Sequence, residues 1–202
     1  LHDALPISMM AISTVFQMSS FCGIATHGAV GLVDTAAQSG LIGEGALSRL
    51  EAVLASCGLK VKRTDRKAQA RGVGGEATVR EVIEIPLGLA GVNGVLEATV
   101  VAEDVPLLIP VKLLRDLRAV IDFSTETVLF KKHGAHTPMS ILPSGHASVS
   151  VTDFSPGGWN LPWEAQVRGM QKSDFEISNN IQFCATAMSE ISNSKSQERS
   201  TR

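Results

Sequence analysis

Asp34 and Thr35 end an apolar run in the stretch GLVDTAAQSGLIG, and two small residues, Ala36 and Ala37, follow at once. A carboxylate delivered from a buried strand into a patch of small residues can do acid–base work. Small neighbours let backbone N–H groups come close and point at one of its oxygens. The same residues also make an ordinary turn, because Asp is common in turns and as a helix cap. Taken alone, the turn is favoured. Two further stretches weigh on the other side. RGVGG places Gly72, Gly74 and Gly75 around Val73, just before an alternating strand. Glycines at a hairpin tip allow close approach and movement, as a loop covering a substrate needs. PLLIPVKLLRDLRAVIDF then carries a buried run through Pro110 into a short helix with paired leucines and on into a strand.

Other residue types offer less. Cys22, Cys57 and Cys184 are odd in number and far apart, which fits neither a disulfide framework nor a zinc pattern. Reduced, mostly buried thiols suit an intracellular, cytoplasmic setting. His133 and His136 form an HxxH without a nearby carboxylate and read as a solvated loop, so no metal or other cofactor is expected. Asp122 and Asp153 each follow apolar residues but lack small neighbours, and read as strand-end or turn aspartates. The net charge of −2, with no long basic block, gives nucleic-acid binding no support. No apolar run reaches the roughly 18–20 residues of a membrane helix, and MMAISTVFQM lacks the basic start and cleavage site of a signal peptide.

The elements that must position Asp34 follow from pattern. A chain of 202 residues with 44% hydrophobic residues can build one domain with a real core. FCGIATHGAVGLV reads as two short strands about a His27–Gly28 turn, the second ending at Val33. Leu47, Leu50, Leu54 and Cys57 fall at helical spacing, and Gly58 terminates that helix. LKVKR, ATVREVIEIPLGLAG and VLEATVVAED read as strands, with a hairpin expected at Asn93–Gly94. AVIDF and ETVLF form a late hairpin, and Pro110 starts the short helix VKLLRDL, where a missing N–H costs little.

Three segments follow: a leader over 1–20, an ordered domain over 21–153 and a largely disordered tail over 154–202. LHDALPI is also what one frame of a common sequencing adaptor encodes, so residues 1 to about 8 are expected to be a library artefact. The tail opens with a Pro/Gly linker, ends in a polar run, and includes IQFCATAM, expected as a short helix. Many short strands with turn signals argue a mainly β domain, closed or folded over, with one or two short helices.

LVDTAA, RGVGGEATVREVIEI and LLIPVKLLRDL occur in the order of the core motifs of retropepsin-like aspartic proteases. The chain resembles that family over about residues 21 to 130, and more closely the protease segment of retrotransposon polyproteins. LPSGHASVSVTDF resembles the retrotransposon branch alone. The resemblance implies an acid-protease β-barrel fold. It implies Asp34 as catalytic aspartate, and Thr35, Ala36 and Ala37 as the loop that supports it. It implies Gly72, Val73, Gly74 and Gly75 as the flap, with Val73 at its tip. Two positions depart from the family pattern: Ala36 and Pro110 each stand where Gly is usual.

The implied chemistry needs two carboxylates a few ångströms apart sharing a proton, since like charges that close resist double ionisation. There is one Asp-Thr-small motif, so the resemblance implies a homodimer with one Asp34 per chain. Its substrate would be an extended polypeptide, such as the parent polyprotein. Leu41, Ile42, Val73, Val79 and Ile109 suit either apolar substrate pockets or ordinary core. Two other readings stay open: a retropepsin-like module that dimerises or binds peptide without cleaving, and a β-rich domain whose Asp34 is a turn residue.

Overall fold

The computed structural model describes residues 26, 28–72 and 75–177. Strands β1 (Val30–Asp34) and β2 (Gly40–Gly43) are joined by a short loop, and helix α1 (Glu44–Ser56) follows directly. Strand β3 (Lys62–Thr64) precedes a small hairpin of β4 (Arg71–Gly72) and β5 (Gly75–Glu76). Long strands β6 (Val79–Leu89) and β7 (Val92–Val101) come next. Strand β8 (Leu108–Pro110) then enters helix α2 (Val111–Asp116). Strands β9 (Ala119–Asp122), β10 (Thr127–Phe130) and β11 (Ala135–Pro138) make a three-stranded sheet. Strands β12 (Ser140–Ile141) and β13 (Ala147–Ser150) return to the main sheet. Helix α3 (Trp163–Val167) and a 3-10 turn over Lys172–Asp174 follow.

The fold is mainly β with short helices, as the strand and turn pattern leads one to expect. The main sheet has eight strands in the order β12-β13-β1-β8-β2-β7-β6-β3. It is folded over, so that the segment after β13 meets β6. The Gly88 amide donates to the Val151 carbonyl at 2.9 Å, and the Asp153 amide donates to the Gly88 carbonyl at 3.1 Å. A Cβ at residue 88 would lie 2.5 Å from the Asp153 backbone, so glycine is what allows the crossing. Gly88→Ala is therefore expected to destabilise the protein by about 1–3 kcal/mol, from backbone displacement at a packed contact. Denaturant unfolding measures it, and a loss well under that range would mean the crossing is loose.

Helix α1 matches its pattern. Leu47, Leu50 and Leu54 are buried, and Gly58 takes φ 71°. The Leu59 amide returns to the Leu54 carbonyl at 2.8 Å, a glycine-terminated end. Cys57 caps the helix half-buried, while Cys22 and Cys184 lie outside the described residues. So do residues 21–25 of FCGIATHGAVGLV, the whole leader over 1–20 and IQFCATAM. His133 lies in the turn after β10 and His136 on β11, both exposed.

Two expectations are corrected. The β6–β7 hairpin turns at Ala90–Gly91, whose φ values of 53° and 76° give the left-handed pair that a two-residue loop favours. Asn93 and Gly94 lie inside β7, opposite Gly88 and Leu87. The Asn93 side chain serves a different end. Its Nδ2 donates to Ser155 Oγ at 2.9 Å and to the Gly158 carbonyl at 3.1 Å, and its Oδ1 accepts from the Ser155 amide.

The second correction follows from the first. Residues 154–177 are a packed strap and not part of a disordered tail. Trp159, Leu161, Ala165 and Phe175 are buried in the main core, with the Trp159 and Phe175 rings 5.2 Å apart. The Trp159 indole donates to the Gly94 carbonyl at 3.1 Å. The Lys60 amide donates to the Phe175 carbonyl, and the Ile177 amide to the Gly58 carbonyl, each at 2.8 Å. The polar composition of the segment hid a few large apolar anchors placed far apart.

The strap also carries charge. Glu84 and Glu97 face each other across β6 and β7, and Glu84 is only 3% exposed. Arg66 ion-pairs with both, and Lys62 lies 3.6 Å from Glu84. Lys62 also reaches Asp174 in the strap at 2.8 Å. The Lys62 ammonium, aided by the Gln171 amide, holds the Asp174 carboxyl below its ordinary range, while Asp174 raises Lys62. A lowered carboxylate stabilises above its unfolded pKa, and that stabilisation is lost as pH falls through the folded value. A raised ammonium stabilises below its unfolded pKa and loses this as pH rises through the folded value. The tie is thus whole between about pH 4 and about pH 10. Amide protection of the strap is expected to drop below about pH 4. Asp174→Asn should remove that acid step, and an unchanged step in the variant would assign it elsewhere.

Candidate active site

Asp34 is the last residue of β1, at a crossing of three strands. Strand β8 lies between β1 and β2, parallel to β1 with Asp34 opposite Pro110, and antiparallel to β2 at Leu41–Leu108. The 35–39 loop closes over the end of β8, where the Val111 amide donates to the Ala37 carbonyl at 2.9 Å. Pro110 offers no N–H there, and the next amide along the chain makes the bond instead.

The carboxylate is half-buried. Its Oδ1 accepts from the Ala36 amide at 2.8 Å and from the Ala37 amide at 3.1 Å. Among the described residues nothing bonds Oδ2. One oxygen is therefore oriented by the loop, and the other is bonded by no described residue. Asp34 does not cap α1, whose N-cap is Gly43. Thr35 and Ala36 are exposed and Ala37 is half-buried. Ala36 is absent from the residues with positive φ, so its methyl imposes no backbone strain within the protomer.

Asp122 provides a control on this geometry. Its Oδ1 accepts from the Ser124 amide at 2.8 Å and the Thr125 amide at 3.3 Å, the same two-bond pattern. The Ser124 hydroxyl and amide, with Thr125, hold its carboxyl below the ordinary range. Asp122, however, starts the β9–β10 turn of the outlying sheet. Asp153 is exposed beside the Gly88 crossing. Both are turn or strand-end aspartates, as their neighbours suggested. Asp34 differs from them in its place at the strand crossing and not in its turn geometry.

The glycine-rich stretch forms the β4–β5 hairpin, with Gly72 opposite Gly75 and Arg71 opposite Glu76. Gly75 takes φ 115°, a conformation that requires glycine. Val73 and Gly74 lie outside the described residues. The Ala77 amide donates to the Ala70 carbonyl at 2.9 Å across the hairpin base. Ala70 and Ala77 pack with Ala37, Leu41, Val79 and Leu142 against Leu32, Val101, Val105 and Leu108. The base of the hairpin and the carboxylate loop thus share one small apolar cluster. Leu41 and Val79 are half-buried there, whereas Ile42 and Ile109 are ordinary core. Ala70, Ala77 and Leu142 were not legible as site neighbours, since nothing in the pattern of single apolar residues in polar loops marks them.

No family model matches the chain, and no curated protein matches it. Among solved structures it is similar to the retroviral protease-like domain of Ddi1 from Leishmania major. Identity is 15% and the TM-score 0.38, with 59% of this chain and 93% of that chain covered.

Proposed function

We propose that the chain is a retropepsin-like aspartic endopeptidase that works as a homodimer, with one Asp34 from each protomer. The observation that carries this is the Asp34 carboxylate at the end of β1 beside β8, with one oxygen held by two loop amides. The glycine-bearing hairpin rooted in the same cluster adds a cover for a substrate. Thr35 and Ala36 are exposed in the protomer, so a second copy can reach the loop.

In such a pair one carboxylate takes a proton from water as its oxygen attacks the peptide carbonyl carbon. The other donates a proton to the carbonyl oxygen. Collapse of the tetrahedral adduct breaks the C–N bond: the carboxyl that took the water proton gives it to the leaving nitrogen, while the other carboxylate takes a proton from the adduct's hydroxyl. The substrate is an extended polypeptide, its backbone paired with strand edges beneath the hairpin. The parent polyprotein of a retrotransposon is the substrate that the motif order suggests.

The test is cleavage of a peptide library by the full chain at about pH 5, across a range of protein concentrations. Cleavage that rises more than linearly with protein, and stops with a pepstatin-type inhibitor, is expected for a dimeric site. A folded dimer without cleavage would favour the binding module instead, with Ala36 and Pro110 as the substitutions that silenced it.

A further inference from the structure

The basic side chains are unevenly paired. Arg49, Lys62, Arg63, Arg66, Arg80 and Lys172 each pair with a carboxylate. Lys112, Arg115, Arg118 and Lys131 are exposed and pair with none among the described residues. These four are neighbours in the fold. Leu114 turns α2 toward the core, which leaves Lys112 and Arg115, three residues apart, on one outer face. Arg118 follows at the same interval, just past the helix end. The Lys131 amide donates to the Arg118 carbonyl at 3.3 Å, and the Lys132 amide to the Leu117 carbonyl at 3.2 Å. The chain leaving β10 thus sets Lys131 beside the α2 row. Like charges gathered this way repel one another, and an anionic partner removes that cost. The charge count of the sequence hid the face, since α2 and the end of β10 come together only in the fold.

An aromatic ring stands at its border. Lys132 Nζ meets Glu164 Oε1 at 3.5 Å, which ties the β10–β11 turn to α3. Trp163, the residue before Glu164, is 72% exposed, the most exposed large hydrophobic residue among those described. Trp159, by contrast, is 5% exposed and packed on Phe175. An exposed indole beside unpaired cations suits a strand whose phosphates take the charges and whose bases take the ring. An acidic peptide would use the charges and leave the ring idle. An anionic membrane would need a broader apolar face than Trp163 and Val167 give a five-residue helix.

We propose that the outer side of α2, the end of β10 and Trp163 bind single-stranded nucleic acid. Lys112, Arg115, Arg118 and Lys131 hold phosphates, and Trp163 stacks on a base. The acids at this face are Asp116, next to Arg115, and Glu164, already paired with Lys132. The site is independent of the peptidase reading, and neither Asp34 nor its loop takes part in it.

The test titrates the full chain with a fluorescein-labelled oligouridylate of about 12 nucleotides, at salt from about 50 to about 300 mM. Saturable binding is expected, with log K falling against log salt at a slope of about −3, from four phosphate contacts at about −0.7 each. Arg115→Gln combined with Lys131→Gln should weaken binding about twentyfold at about 100 mM salt and flatten the slope by about 1.4. Trp163→Ala should weaken binding about tenfold and leave the slope unchanged. Tryptophan emission should be quenched by unlabelled oligonucleotide in the parent, and not in Trp163→Phe, where buried Trp159 alone remains. Arg63→Gln, which alters a paired cation elsewhere, should bind as the parent does. All the substituted side chains are exposed, so the melting temperature should hardly move. No saturable binding at about 50 mM salt overturns the proposal, as does binding that either the charge variant or Trp163→Ala leaves intact. Tighter binding to vesicles of phosphatidylserine and phosphatidylcholine than to the oligonucleotide would also overturn it, and assign the face to a membrane.

Discussion

Asp34→Asn is expected to lower peptide cleavage by about a thousandfold or more, with the fold and its melting temperature nearly unchanged. The substitution separates chemistry from structure. An asparagine carbonyl oxygen still accepts from the Ala36 and Ala37 amides, so the loop keeps the two bonds that Oδ1 makes now. The group lost is the reactive oxygen, which an amide NH2 cannot replace as a proton acceptor. If Asp34 were only a turn residue, the same change would cost nothing in activity. The matched variant is Asp122→Asn, which alters the same two-bond turn on the outlying sheet. It should leave cleavage within about twofold of the parent, while Asp34→Asn abolishes it. Equal loss in both variants, or in neither, would remove Asp34 from the chemistry.

Phe175→Ala is expected to destabilise the chain by about 3–5 kcal/mol, because the ring is fully buried and its removal leaves a cavity. The size of the effect tests whether the strap belongs to the cooperative unit. Phe175 joins the main core, its ring tilted 56° against that of Trp159. Its own carbonyl and the Ile177 amide bond to the segment just after α1. Losing the ring should therefore weaken the whole fold, and limited proteolysis should cut first between residues 155 and 177. A loss below about 1 kcal/mol, with an unchanged core transition, would mean that the strap folds and opens by itself. Trp159→Phe keeps the apolar bulk but gives up the indole bond to Gly94, so it should cost much less than Phe175→Ala.

Much of the fold was legible because local signals and tertiary packing agree. Leu47, Leu50 and Leu54 at helical spacing, ended by Gly58, gave α1. The apolar run before Pro110 gave β8 and its passage into α2. The hairpin misplaced at Asn93–Gly94 shows the limit of local signals. Asn-Gly is a strong turn pair, but the Asn93 amide is worth more here as a triple anchor for the strap, and Ala90–Gly91 takes the turn. The strap was missed for a related reason. Burial was inferred from the density of apolar residues, and this segment packs through Trp159, Leu161, Ala165 and Phe175, set apart among prolines, glycines and charges.

For the site, the sequence by itself determined which residues are available: Asp34 beside small neighbours, glycines in one hairpin, and a buried run leading into a short helix. Its small neighbours set Asp34 apart from Asp122 in the sequence, although the two make the same local turn. Tertiary structure alone shows where each one lies: Asp122 in a turn of the outlying sheet, Asp34 beside Pro110 in the main sheet. It threads β8 between β1 and β2, so that the Asp34 loop closes on the start of α2 through Ala37 and Val111. It also brings Ala70 and Ala77, at the base of the hairpin, into the cluster that holds Ala37, and bonds the Thr78 amide to the Glu103 carboxylate 25 positions away. Such contacts depend on which distant strands pair, and pairing is settled by the packing of the whole core.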